Sequence, residues 1–246
     1  MQRYFINDDL TNKDSLTLPS DDLYHLKTVM RSKNDDKIIC IDITGQVYIC
    51  VIENVETGLI KILEKSNENN ELDIDITLIY ALPKGDKFEL VLQKATELGV
   101  SKIVPFMSRR CVVKSDKNKF SKKLIRYKKI LKEAAQQSRR NIIPEIENLI
   151  KLDEINEYLG DCNLVAYEEK SKDNEDFVLK QCLMQLQPGN KMTIIVGSEG
   201  GFDLEEIAIM EAMGIKACSL GKRILRSETA PLYLLSVIGF SREIDK

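Results

Sequence analysis

Only one histidine, His25, occurs in 246 residues, and the six cysteines, Cys40, Cys50, Cys111, Cys162, Cys182 and Cys218, form no C-x-x-C pair. Zinc sites draw on clustered cysteine and histidine, so no metal centre is expected. No apolar run reaches the roughly 20 residues that span a bilayer. The opening MQRYFINDD lacks the apolar core of a signal peptide, so the chain reads as cytoplasmic, with its thiols reduced and acting as small buried hydrophobes. There is no G-x-x-x-x-G-K-[ST] loop and no G-x-G-x-x-G after the first buried strand, where PKGDK holds a single glycine. An ATPase or GTPase, and a Rossmann dinucleotide site after that strand, therefore have no support in the sequence.

What is present is an ordinary globular composition, 43% hydrophobic and 30% charged, with charge unevenly spread. Net charge is −3, yet Arg109 to Arg140 carries thirteen Lys or Arg against two acids, and Asn141 to Lys180 carries four bases against eleven acids. The basic stretch is either a phosphate-binding surface or a solvated helix face.

The hydrophobic pattern changes once. Residues 1–63 alternate in the manner of half-buried strands: RYFI, KIICID, VYICVIENV and LIKIL, with turns at TGQ and ETG. A short helix within PSDDLYHLKTVMR takes Ser20 as its cap. The polar stretch EKSNENNELD, residues 64–73, marks a boundary, giving a small β-rich unit over 1–70 and a second domain over 71–246. After it, strands and helices alternate: IDITLIYAL, DKFELVLQKATELG, SKIVPF, FSKKLIRYKKILKEAAQQS, NLVAYEE, DFVLKQCLMQL, KMTIIVG, LEEIAIMEAMG, IKACSL and APLYLLSVIGF. That order predicts an α/β domain with a parallel sheet covered by helices on both faces.

In such sheets ligands bind at the carboxyl ends of strands, so the loops there carry the chemistry. Two are rich in glycine. In IIVGSEGGFDLEE, Asp203 and Glu206 form a capping box, Phe202 can pack on Ile207, and the preceding glycines permit a tight turn and close backbone approach. In LGKRILRSETAPLYLL, Ile224 and Leu225 belong either to the core or to a pocket wall. Ser227 or Thr229 can cap the following helix, with Pro231 in its first turn. Arg226 and Glu228 suit a polar substrate and its proton, or else an internal ion pair.

Taken in order, ALPKGDKFELVLQKATELGVSKIVPFMSRRCVVK, EAAQQSRRNIIPEI, VGSEGGFDLEE and LGKRILRSETA resemble the RsmE family of 16S ribosomal RNA uracil methyltransferases, over nearly the whole chain. The resemblance implies a C-terminal SPOUT domain whose parallel sheet is tied in a trefoil knot, preceded by an RNA-binding PUA-like β-barrel. It implies a homodimer that places a methyl group from S-adenosylmethionine on the imide nitrogen between the two carbonyls of one uracil, in the decoding region of the small ribosomal subunit. The family's cofactor loops map onto Gly197, Glu199 and Gly200, and onto Leu220, Gly221, Ile224, Leu225 and Arg226. Arg226 is expected to stabilise the anionic uracil and Glu228 to act as base, unless water takes the proton. Phosphate contacts are expected from Arg3, Arg31, Arg109, Arg110, Lys122, Lys123, Arg126, Arg139 and Arg140. The chain departs from the family's usual pattern at Ser198, where proline is common, and at Ser227, where threonine is. Two rival readings are a non-catalytic RNA-binding or ribosome-assembly protein and a SPOUT methyltransferase with another RNA target.

Overall fold

Alternating burial shapes the first unit of the computed structural model, which describes residues 1–168 and 177–245. This unit comprises Met1–Glu71 together with Ala135–Ile142. Its elements are β1 (Arg3–Phe5), β2 (Ser15–Thr17), α1 (Ser20–Tyr24) with a π-helical continuation over His25–Val29, β3 (Lys37–Ile41), β4 (Val47–Asn54) and β5 (Leu59–Ser66). The sheet order is β1-β3-β4-β5-β2, with β1 parallel to β3 and the other pairs antiparallel. Tyr4, Leu26, Ile38, Cys50, Ile52 and Ile60 form its core. His25 packs here too, its Nδ1 3.2 Å from the Tyr4 hydroxyl. Ser20 does not cap α1: the helix begins at Ser20, Pro19 stands at the cap, and the Leu23 amide donates to the Pro19 carbonyl.

Segment 135–142 joins this unit through buried polar contacts. Glu71 accepts from the Arg140 guanidinium and from the Asn141 amide at 2.7 Å, and the Asn141 side chain donates to the Glu68 carbonyl at 2.8 Å. Gln136 donates to the Arg3 carbonyl at 2.9 Å. Buried charges persist only where paired in this way.

The second unit comprises Leu72–Ala134 and Ile143–Lys246. Its strands are β6 (Asp75–Ala81), β7 (Lys102–Phe106), β8 (Glu145–Ile146), β9 (Cys162–Ala166), β10 (Lys191–Val196) and β11 (Lys216–Cys218), all parallel, in the order β11-β9-β10-β6-β7-β8. Ile76, Leu78, Ile79, Tyr80 and Ala81 are wholly buried, as a central parallel strand requires. The helices are α2 (Lys87–Glu97), α3 (Lys117–Ser121), α4 (Leu124–Gln137), α5 (Phe177–Gln185), α6 (Leu204–Ala212) and α7 (Thr229–Gly239). Phe88, Val91 and Ala95 of α2 and Tyr127 and Leu131 of α4 turn inward to the core.

Three expectations change. The basic helix is two helices, because Asp116 caps α3 and the Lys123 amide turns back to the Phe120 carbonyl, closing it before α4 begins. Cys162 and Cys182 are joined in a disulfide, since β9 and α5 bring their Cα atoms to 6.3 Å, within the usual span; Cys40, Cys50, Cys111 and Cys218 remain free and buried. Strand β9 ends at Ala166, so Glu169, at the end of NLVAYEE, and Asp176, at the start of DFVLKQCLMQL, lie outside the described residues. Among the described residues no helix is long and apolar enough to cross a membrane.

Candidate active site

Strands β6, β9, β10 and β11 lie side by side and parallel, so the loops leaving their carboxyl ends gather at one edge of the sheet. Together these loops enclose a cavity of about 410 Å³.

The loop after β10 is held from both sides. The Gly201 amide donates to the Ser198 carbonyl at 2.9 Å, closing the turn. A Cβ on Gly200 would stand 2.8 Å from the Arg110 carbonyl oxygen, so only glycine lets this loop press against the one after β7. Asp203 accepts the Glu206 amide at 2.8 Å while Glu206 accepts the Asp203 amide at 3.2 Å, and Phe202 and Ile207 are both buried, as the sequence predicts. The second Glu206 oxygen accepts the Arg109 amide at 2.8 Å, which pins the β7 loop to the start of α6.

The loop after β11 turns at Gly221, whose φ of +97° favours glycine. The Arg226 carbonyl accepts the Thr229 and Ala230 amides at 2.9 and 3.0 Å and so starts α7. Neither Ser227 nor Thr229 caps that helix; Glu228 stands at the cap without a side-chain bond to it, and the Ser227 hydroxyl donates instead to the Glu228 carboxylate at 3.2 Å. Ile224 and Leu225 both line the cavity, Ile224 being exposed and Leu225 resting on the core.

Gly197, Glu199, Leu220, Gly221, Ile224, Leu225 and Arg226 thus line one space, while Gly200 supports it from behind. Arg226 is exposed, and among the described residues its guanidinium pairs with no carboxylate. Glu228 stands outside the lining and pairs with Lys87 at 2.9 Å. Lys87, at the start of α2, also meets Glu199 at 2.9 Å, and the Lys84 amide donates to the same Glu199 oxygen at 3.2 Å. The two glutamate partners push the Lys87 ammonium above its usual range. Burial pushes both carboxylates up, but bonds from Lys87 and from backbone amides outweigh it and hold each below the usual range. Burial dominates at Tyr80: against the Ser227 hydroxyl, and with the help of Glu199 and Glu228, it lifts the phenol above its ordinary range, so Tyr80 stays protonated.

The sequence missed Lys87, Ser219 and the stretch Ala166–Glu168 as lining residues. The rule that loops follow strand ends would have found them, since PKGDK follows β6 and Tyr167 follows β9.

The basic candidates divide. Arg3 and Arg140, both expected as phosphate contacts, are 3% exposed and paired with Glu68 and Glu71, which leaves little of either side chain at the surface. Arg31 and Arg139 are exposed in the first unit. In the second, Arg109 pairs with Glu205, and Arg126 with Glu89 at 2.7 Å. Arg110, Lys122 and Lys123 are exposed, and among the described residues they meet no carboxylate.

The RNA methyltransferase domain family matches residues 70–239, and the RNA methyltransferase PUA domain family matches residues 18–64. The chain is 37% identical to ribosomal RNA small subunit methyltransferase E of Bacillus subtilis, across 99% of this chain and 98% of that one. It is also 37% identical to the protein of the same name from Mesomycoplasma hyopneumoniae, across 96% and 98%. The crystal structure of the Neisseria gonorrhoeae enzyme of that name, bound to S-adenosyl methionine, superposes with a TM-score of 0.84 at 30% identity, covering 97% of this chain and 96% of that one.

Proposed function

Because the chain belongs to the ribosomal RNA small subunit methyltransferase E family, we propose that it moves a methyl group from S-adenosylmethionine to the imide nitrogen, N3, of one uracil in 16S ribosomal RNA. The observation that carries this reading is the meeting of two glycine turns around one cavity, with the free guanidinium of Arg226 on its wall. A cavity of about 410 Å³ falls within the range of roughly 300–1,000 Å³ usual for small-molecule sites. The donor's chemistry also fits: the glycine turns let backbone approach a flat base, Ile224 and Leu225 offer apolar faces, and Glu199 and Arg226 supply charge beside them.

When bound, the donor supplies an electrophilic methyl on a sulfonium, for which alignment is the main catalytic requirement. The protein's own task is the uracil. Loss of the N3 proton spreads negative charge onto both carbonyl oxygens, and the Arg226 guanidinium stabilises that charge without having to leave another partner. Glu228 is a poor base here, being held ionised by Lys87 and standing outside the cavity lining, so the proton passes to water. The domain over 1–70 contributes RNA contacts through Arg31, and the domain over 71–246 contributes Arg109, Arg110, Lys122, Lys123, Arg126 and Arg139. A homodimer is supported by a second cavity of about 430 Å³ beside α5 and α7, which shares Leu220 and Gly221 with the first and has the exposed Met184, Tyr233 and Phe240 in its walls. A modifier of ribosomal RNA in this reading works in the cytoplasm.

Methylation of purified small subunits, with the product nucleotide mapped by mass spectrometry, tests the proposal together with Arg226→Ala. The variant should lose turnover by at least about a hundredfold, as for the removal of one group that stabilises transition-state charge, and keep donor affinity within a few fold. Single-turnover methylation by Arg226→Ala at the wild-type rate removes the guanidinium from the mechanism, and a methyl group on another nucleotide or on ribose overturns the uracil assignment.

A further inference from the structure

One ammonium ties the two halves of the cavity together. Lys87 Nζ lies 2.9 Å from Glu199 on the β10 loop and 2.9 Å from Glu228 at the start of α7. Each carboxylate has a second donor: the Lys84 amide, three residues before Lys87, at 3.2 Å for Glu199, and the adjacent Ser227 hydroxyl at 3.2 Å for Glu228. The two side chains of the glutamates are 27% and 16% exposed, and that of Lys87 is 32% exposed, so the trio is half-buried and its attraction is screened by water. Loops after β6, after β10 and before α7 therefore meet at a single nitrogen.

We propose that Lys87 is a positioning residue for methyl transfer, holding the β10 loop to the start of α7 through Glu199 and Glu228, and that Glu228 serves this clamp. The inference rests on the reading of the cavity as the methyl donor's site. Its physics is elementary. Two carboxylates reach the same point in space, each within twice 2.9 Å of the other at the oxygens concerned. With the ammonium between them the arrangement is attractive on both sides. Without it, like charges oppose each other at close range beside the cavity, and the loops that carry Gly197 and Arg226 separate. Glu199 and Lys87 both line the cavity, so separation acts directly on its shape. Lys87 differs from Arg226 in kind: its charge is already committed to two partners, and it offers no free cation to an anionic base.

The test is a double-mutant cycle read by calorimetric affinity for S-adenosylmethionine, with hydrogen–deuterium exchange of residues 197–203 and 226–229 in the protein without donor. Lys87→Ala should weaken donor affinity about tenfold, in the range of ordinary couplings between sites. Glu228→Ala should weaken it too, and the double variant should lose no more than the weaker single one, because the two act through one contact. Lys87→Arg should recover most of the loss. Exchange over both loops should rise in Lys87→Ala whether or not donor is present, which tests the clamp even if the wild-type protein binds no donor and the reading of the cavity fails. Losses that multiply in the double variant, or unchanged exchange in a folded Lys87→Ala, overturn the proposal. So does a Glu228→Ala protein with full donor affinity and no turnover, which makes Glu228 the base.

Discussion

Glu206 offers a sharp stability test, because its buried carboxylate connects two loops of the candidate site. It is 1% exposed and accepts two backbone amides, Arg109 at 2.8 Å and Asp203 at 3.2 Å. Glu206→Ala removes both acceptors. Leaving a buried amide without a partner costs about 1–3 kcal/mol. The Asp203 amide, at the mouth of a helix, can recover water, so its share lies at the low end. The Arg109 amide meets the buried Glu206 carboxylate at the shorter distance, 2.8 Å, and its share is taken as higher. A loss of about 3 kcal/mol follows, and for a domain of 150–250 residues each kcal/mol moves the melting temperature by roughly 2–4 °C, so a fall of about 6–12 °C is expected. Glu206→Gln keeps one acceptor oxygen and should recover roughly half. Differential scanning calorimetry of the three proteins gives the answer. A fall of less than 2 °C in Glu206→Ala would mean that water replaces the carboxylate at both amides, and the argument that this side chain seats the β7 loop against Gly200 would be lost.

Two further outcomes follow from the charges. Among the described residues Lys122 and Lys123, at the break between α3 and α4, pair with no carboxylate, so Lys122→Gln/Lys123→Gln should lower the salt slope of RNA binding by about 1.4–1.8, a roughly tenfold smaller loss of affinity between 50 and 200 mM salt; fluorescence anisotropy with a small-subunit RNA fragment checks this, and an unchanged slope makes the helices a solvated face. The clamp has a pH window: Glu199 and Glu228 are held below the ordinary glutamate value of 4.5, so their contribution is present above it and lost as pH falls through the depressed values. Lys87 is held above 10.5, so its contribution is present below that value and lost as pH rises through the raised one. The difference in melting temperature between wild type and Lys87→Ala should therefore be level from about pH 5 to 10 and shrink beyond both ends, and a step near neutral pH would show that some other group controls the contact.

Much of this architecture is legible as period and punctuation. Strands β6, β7, β9, β10 and β11 show in the sequence as apolar runs. What periodicity cannot see is short or distant. β2 and β8 are three and two residues long, too brief to set a pattern, and they exist because neighbouring strands supply hydrogen-bond partners. Both glycine loops are legible because helix caps and tight turns are local chemistry. Lys87 is not, because in sequence it is one lysine in the first turn of an amphipathic helix, 112 residues from the Glu199 it holds. Capping by Ser20, Ser227 or Thr229 is also a local inference, and it fails because Ser20 and Thr229 are already the first residues of their helices and the Ser227 hydroxyl goes to the Glu228 carboxylate.

Charge counting misleads in the same way, and the correction alters how RNA can approach. Thirteen bases between Arg109 and Arg140 suggest a continuous positive face. In the fold, Arg140 is buried against Glu71, Arg109 faces Glu205, Lys117 faces Glu154 and Arg126 faces Glu89, so these cations are partly neutralised before any phosphate arrives. Among the described residues Arg110, Lys122 and Lys123 form no ion pair within 4.0 Å, although the Arg110 charge is felt at Asp203, and they differ in position as well as in availability. Arg110 lies against Gly200, whose missing side chain allows the contact, and the same loop is pinned by Glu206. Of the proposed phosphate contacts, Arg110 is therefore the one that lies beside the glycine turn where the methyl donor is proposed to sit, and Lys122 and Lys123 belong to a different stretch of the chain.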